Sequence, residues 1–188
     1  MNETLRVITE RFSCRDFADR RRPEDEDIKQ IAEAAVKAPS GMNRQLWRVI
    51  VIKNKALIDE MDREGMGVLK EMPDKSLFER IKSRGGRLFY NAPVMIVLAV
   101  KRADPPGAEL IDLGIAAQNI VLAATSLGLS SLHCGLIGFV FAGEKGGYYK
   151  KLLGFHEGYE CGMSVLLGYA KCPVAPHEPD FKKISYID

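Results

Sequence analysis

Several large classes of protein are excluded by what this sequence does not contain. It has no GxGxxG turn, so a Rossmann dinucleotide site is not expected. Its four cysteines, Cys14, Cys134, Cys161 and Cys172, form no CxxC pair and show no metal-ligand spacing, which removes metal frameworks and any disulfide scaffold. Neither sign of charge dominates: 27 basic residues face 25 acidic ones for a formal net charge of +2. The two signs are interspersed, so neither nucleic acid nor a membrane surface is an expected partner. The most apolar stretch, Leu113 to Leu129, follows Asp112 and is interrupted by Gln118, Asn119, Thr125 and Ser126. It reads as a buried helix and not as a membrane span. The chain opens without the basic and apolar signature of a signal segment, and together with its cysteine usage this predicts a cytoplasmic location. There is no internal repeat and no low-complexity segment.

What the sequence does contain is enough apolar material for one full core, 46% of 188 residues, so a single domain over 1–188 is expected. Periodicity predicts helices near 2–12, 27–38, 55–64, 75–84, 110–127 and 146–153, and strands near 48–53, 94–100, 131–137 and 163–170. That order is an α+β or three-layer pattern. Ile28, Ile31, Ala32, Ala35 and Val36 form the stripe of a helix packed on a sheet, and Pro39 closes it. The strand Val94 to Val100 is apolar on both faces and therefore needs cover on both sides. Small residues at 114, 116, 117, 123 and 124 let another backbone approach the long helix closely. The tail from Lys171, broken by Pro173, Pro176 and Pro179 before Ile184-Ser185-Tyr186-Ile187, cannot be a continuous helix and reads as an extended, docking arm over 171–188.

Two polar clusters carry the functional signal. Ala38-Pro39-Ser40-Gly41-Met42-Asn43-Arg44-Gln45-Leu46-Trp47 joins a helix to a strand and holds amides, a hydroxyl and the single Trp. Neutral amides suit the polar edge of a planar heterocycle, although a capped loop anchored by Trp47 would look the same. Upstream, Arg11-Phe12-Ser13-Cys14-Arg15 sets two guanidiniums around a hydroxyl. That is a grip for phosphate oxygens or, in the plainer reading, a solvated cationic helix end.

In their order and spacing, RFSCR and PSGMNRQLW resemble the flavin-dependent nitroreductase family. The resemblance continues through Asn91-Ala92-Pro93-Val94-Met95-Ile96-Val97, Gly114-Ile115-Ala116-Ala117-Gln118-Asn119 and Leu127-Gly128-Leu129, and so covers nearly the whole chain. It implies a three-layer α/β/α sandwich with a mixed, largely antiparallel central sheet, intertwined as a homodimer. It also implies FMN as cofactor, with NAD(P)H as a transient hydride donor and a planar acceptor such as a nitroaromatic or quinone, in a ping-pong cycle. Arg11, Ser13 and Arg15 match positions facing the phosphate and pyrimidine end of FMN. Pro39, Ser40, Asn43 and Gln45 match a segment that reaches the flavin from the other subunit. Cys134, Gly135 and Leu136 match a strand end whose backbone N–H groups point at the hydride-accepting nitrogen. His133 and Cys134 are then expected to pack, and no side chain is assigned a catalytic role. Arg84 and Arg87 precede the Val94 strand at spacings where some relatives carry an amide and a lysine contacting the flavin ring, though a solvated basic turn would look alike.

Three departures from the family pattern stand out. Leu46 replaces a proline, Phe12 replaces a polar residue and is expected to pack, and the C-terminal phosphate arginine has no clear counterpart. Lys182 or Lys183 is the substitute, as a point charge. The resemblance also admits specialised relatives, a dehalogenase, an azoline oxidase or a flavin-fragmenting enzyme, with Gly65 to Arg87 as the candidate lid. A flavin-binding redox protein with little turnover is the reading from a different class.

Overall fold

A strand whose residues are all apolar has to be central, and in the computed structural model, which describes residues 2–19, 21–104, 106–172 and 174–187, it is. The strands are β1 (Trp47–Ile52), β2 (Val94–Lys101), β3 (Ser130–Cys134) and β4 (Tyr159–Gly168), in the order β1-β2-β4-β3. All three pairings between them are antiparallel. The parallel component is a single bridge, Ser13 to Ser131. Every residue of β2 from Val94 to Val100 is buried. Met95 and Val97 face one apolar core and Val94, Ile96, Leu98 and Val100 the other, so the sheet is covered on both faces as its composition requires.

The helices divide accordingly. α2 (Asp25–Val36) and α5 (Ala108–Ser126) cover one face through Ile28, Ile31, Ala35, Leu113, Ala116, Ala117, Ile120, Val121 and Ala124. On the other face, α3 (Lys55–Glu71), α4 (Ser76–Lys82), α6 (Gly138–Ala142) and α7 (Gly146–Leu152) contribute Ile58, Met61, Leu69, Ile81, Val140 and Tyr149. This is the three-layer sandwich. By length and composition α5 is the one helix among the described residues apolar enough to cross a membrane, but its buried stripe belongs to the core. Its Leu110 and Ile111 stay exposed.

Some boundaries differ from the sequence expectation, each for a packing reason. α3 runs seven residues past 64 because Gly65, a poor helix former, is needed there: a Cβ would lie 2.4 Å from Leu88 Cδ1 and 3.2 Å from Val140 Cγ2. The strand expected over 131–137 ends at Cys134, and the apolar run behind it coils into a 3₁₀ turn, Gly135–Ile137, and then α6. β4 starts four residues early, at Tyr159, where Gly162 forms a bulge opposite the Leu98/Ala99 step. The opening helix, α1 (Glu3–Glu10), stops two residues short of 12 because the chain turns to pair with the sheet. In the tail, Pro173 and Asp188 lie outside the described residues. The stretch 174–187 is exposed throughout, with a 3₁₀ turn at Phe181–Lys183.

Candidate functional site

The RFSCR cluster starts at the helix end, where the Arg11 N–H caps α1 on the Val7 carbonyl (3.1 Å), and runs on extended. Arg11 has φ −60° and ψ 141°. Beyond it the Cys14 N–H donates to the Ser131 carbonyl (2.9 Å), Ala18 N–H to Tyr169 (2.9 Å), and Lys171 N–H to the Asp16 carbonyl (3.0 Å). Residues 13–18 are thereby clamped between the start of β3 and the end of β4. Phe12, Cys14 and Phe17 turn into the core, which gives Phe12 the packing role its departure from the family pattern predicted. The clamp requires Gly168: a Cβ there would stand 2.8 Å from Phe17 Cδ1 and 2.8 Å from Pro93 Cδ. Gly168→Ala is expected to cost roughly 1–3 kcal/mol in urea unfolding, the usual penalty of overpacking, and to displace the Arg11–Arg15 segment.

Ser13 and Arg15 line one cleft of about 210 Å³ with Cys172 and Val174. Arg15 also lines a neighbouring cleft of about 230 Å³ with Leu77, Arg80, Ile81, Arg84, Tyr90 and Leu136. A strip therefore runs from Ser13 through Arg15 to Arg84 and Leu136. Beside it, Ser131 Oγ is the buried side-chain oxygen left without a hydrogen-bond partner among the described residues. Arg84 is placed by the end of α4, where the N–H groups of Arg84 and Gly86 both return to the Ile81 carbonyl at 3.0 Å. Gly85 and Gly86 take the φ values of +99° and +68° that this turn demands. The wall carrying Tyr90 is fixed from behind by Asp62, whose carboxylate accepts from Leu88 N–H (3.3 Å) and Phe89 N–H (2.9 Å).

At the end of β3, Gly135 is exposed, and nothing lies within 4 Å of where its Cβ would be. The backbone there is open to a ligand. Its neighbours are not poised for chemistry. Burial pushes the Cys134 thiol up to about 11, against smaller opposing contributions from the Leu136 N–H and the Ser164 hydroxyl. Burial also lowers His133 below the ordinary imidazole value, with nearby Arg11 adding to the effect.

The second cluster lies elsewhere in the protomer. Gly41 N–H donates to both oxygens of Asp112 (3.2 Å each), in the first turns of α5. Ser13, by contrast, is anchored through Ser131, just past the C-terminal end of that helix. At 1.5 Å per residue, positions 112 and 126 are ~21 Å apart along the axis. Met42, Asn43 and Gln45 all have φ near +50°, an uncommon state for residues with a side chain and one that must be held by its surroundings. The Gln45 N–H donates to Ser40 Oγ (3.0 Å) and Gln45 Nε2 to Asn43 Oδ1 (2.8 Å). The Asn43 amide nitrogen and the Gln45 carbonyl are unengaged among the described residues. Pro39 is exposed at the mouth of this loop, and Trp47 is buried beneath it against α2 and α5. The loop is thus both anchored by its Trp and held in a strained, exposed conformation.

Of the expected site residues, one protomer brings together Ser13, Arg15, Arg84 and Leu136, with Gly135 and Cys134 adjoining and Arg11 close to His133. It does not bring Pro39, Ser40, Asn43 and Gln45 to that strip, nor Lys182, which lines neither cleft and sits in the exposed turn capped by Asp180. Sequence reasoning missed Arg80, Tyr90, Asp62 and Asp112. Only Asp112, an acid opening an apolar helix, left a readable signal.

The donor set suits an anionic cofactor: several guanidiniums, the Ser13 hydroxyl and an open glycine backbone, on a sandwich whose sheet ends at the site. Proteins of known family share this architecture and sequence. The Nitroreductase family model matches residues 8–169, and the chain belongs to that family. It is an enzyme of the oxidoreductase class. It is similar, at 34% identity over 91% of this chain and 87% of the other, to a protein of Archaeoglobus fulgidus provisionally named NADH dehydrogenase/NAD(P)H nitroreductase. A crystal structure of a nitroreductase with bound FMN from Desulfitobacterium hafniense DCB-2 superposes with a TM-score of 0.95 at 54% identity, covering 100% of both chains. One from Bacteroides fragilis NCTC 9343, also with bound FMN, gives 0.88 at 27% identity, again over 100% of both.

Proposed function

We propose that this chain is an FMN-dependent oxidoreductase that takes electrons from NAD(P)H and passes them to a nitroaromatic, a quinone or a similar planar acceptor. The observation that carries this reading is the strip from Ser13 through Arg15 to Arg84 and Leu136, ending at the open backbone of Gly135. FMN held along it would supply hydride transfer between a nicotinamide donor and a planar acceptor.

The chain's own residues then bind and orient. Arg11 and Ser13 hold the phosphate, and Arg15 and Arg84 supply positive charge at the pyrimidine edge. The Gly135 backbone N–H stabilises charge where it develops, as fixed dipoles do at an oxyanion hole. Lys182 joins the phosphate as a point charge if the arm folds over a partner.

The site is completed by a second copy of the chain. Because Pro39, Ser40, Asn43 and Gln45 stand away from the strip in their own protomer, they serve the partner's flavin. Exposed Leu5, Ile8, Leu110 and Ile111 supply apolar surface for such a homodimer. Residues 1–188 act as one domain whose arm, 171–188, packs on the partner. The four cysteines are all unpaired, which fits a reducing cytoplasm.

The direct test is to release and identify the chromophore of the purified protein, then follow its anaerobic bleaching by NADPH or NADH and its recovery with a quinone. Protein without FMN, or with FMN that neither donor bleaches, defeats the proposal. Rapid turnover separates an enzyme from a passive flavin carrier.

A smaller effect is expected at two residues beside the flavin. With a neutral, raised-pKa thiol at Cys134 and an imidazole lowered by burial at His133, neither is charged at pH 7. Cys134→Ser and His133→Gln should leave the rate of flavin reduction within about tenfold, or ~1.4 kcal/mol of barrier. Loss of a general acid costs about a hundredfold or more. Because the His133 shift is downward, its neutral form already prevails at pH 7, and stopped-flow rates for His133→Gln and wild type should follow the same pH profile from there upward.

A further inference from the structure

One arginine of the site has no task in the flavin reading. Arg80 on α4 is four residues before Arg84, and both line the 230 Å³ cleft that Arg15 enters from the other side. The rest of the lining is Leu77, Ile81, Tyr90 and Leu136, with no carboxylate.

Asp16, next to Arg15, lines the adjoining cleft and not this one, and the other acids nearby are engaged elsewhere. Glu79 pairs with Lys82 at 4.0 Å. Asp59 pairs with Lys55 at 2.5 Å and Arg87 at 3.0 Å. Asp62 is committed to the N–H groups of Leu88 and Phe89. Among the described residues, then, three guanidiniums line one small, largely polar pocket that holds no carboxylate of its own. One developing negative charge at the pyrimidine edge answers Arg15 and Arg84 and leaves Arg80 over. A cationic lining beside Leu77, Tyr90 and Leu136 fits a flat ring that carries an anionic substituent.

Resting on the flavin reading above, we infer that Arg80 selects electron acceptors bearing a carboxylate or sulfonate on a planar aromatic or quinone ring. Arg80 engages the substituent while the ring lies over the flavin against Leu136. Arg80 is a specificity residue: it holds the acceptor by its charge and takes no part in electron transfer, so neutral acceptors pass it unaffected.

The test uses FMN-loaded protein and begins with binding, which needs no turnover. By calorimetry on the oxidised protein, wild type should bind 4-nitrobenzoate more tightly than 4-nitrobenzyl alcohol, with the preference shrinking as salt is raised. Arg80→Gln should weaken 4-nitrobenzoate by about tenfold to a hundredfold, the range for a lost charge-assisted hydrogen bond, and leave the alcohol within about twofold. Arg80→Lys should retain part of the preference as a point charge. In turnover, kcat/KM should fall for 1,4-naphthoquinone-2-sulfonate and not for 1,4-naphthoquinone.

The inference is overturned if wild type shows no preference for the anion, or if Arg80→Gln weakens both ligands equally. It is also overturned if Arg80→Gln lowers FMN affinity, which would give the cleft to the cofactor, or slows reduction by NADPH but not NADH, which would give it to the donor's 2′-phosphate. Failure of the flavin reading itself looks different: no FMN is held, or neither donor bleaches it.

Discussion

Deletion from Pro173 onward is expected to dissociate the proposed homodimer and release FMN together. Within one protomer the arm has no apolar home: Phe181 is 72% exposed, Tyr186 86% and Ile187 96%. β1 is at the edge of the sheet, and beside it Val49 and Val51 with Ile28, Ala32 and Val36 line a groove of about 460 Å³. An apolar strand such as Ile184–Ile187 from a partner would cover that edge. Full burial of a large apolar side chain is worth about 1.5–3 kcal/mol, so losing two such contacts per arm raises the dissociation constant by roughly a hundredfold or more. With the loop Pro39–Gln45 serving the partner's flavin, as proposed, cofactor should leave as the dimer separates. Sedimentation read at both protein and flavin wavelengths follows the two events. A truncated monomer that keeps wild-type FMN affinity rules out a shared site.

Arg11→Ala combined with Ser13→Ala should weaken FMN binding by two orders of magnitude or more, with the dimer intact. A hydrogen bond to a charged group contributes about 1.5–3 kcal/mol, or roughly ten- to a hundredfold in affinity, and the double variant removes two such donors. The fold should tolerate the change. Ser13 is held by its backbone bridge to Ser131, and the core on this segment is filled by Phe12, Cys14 and Phe17. Fluorescence titration of FMN into apoprotein measures the loss, and gel filtration confirms the dimer. Unchanged affinity in the double variant would remove the phosphate from Arg11 and Ser13 and leave Arg15 or Lys182 to hold it.

How much of this was legible in the chain differs from element to element. β2 declared its central position through seven consecutive apolar residues, because only a strand covered on both faces buries both sets of side chains. The α2 stripe, the breaks at Pro39 and the tail prolines, and the two polar clusters were equally readable, since each is a local pattern with a local physical cause. Where the sequence misled, the deciding contact was long range. Nothing local tells α3 to continue through Gly65; Leu88 and Val140 do, by leaving room for no side chain. Just past the end of α1, the chain is held extended by Ser131, more than a hundred residues on, whose backbone carbonyl accepts from Cys14.

The same division runs through the site. The order of RFSCR and PSGMNRQLW by itself determined the family, because motif spacing is a property of the chain. Which of those residues share a cleft is a property of the fold. The sheet registers set Ser13 and Arg15 beside the end of β3, α4 and its glycine turn swing Arg80 and Arg84 over to them, and Asp112 keeps the Pro39–Gln45 loop at the far end of α5. That arginines from positions 15, 80 and 84 share one pocket could be decided only there, because charge acts through space and not along the sequence.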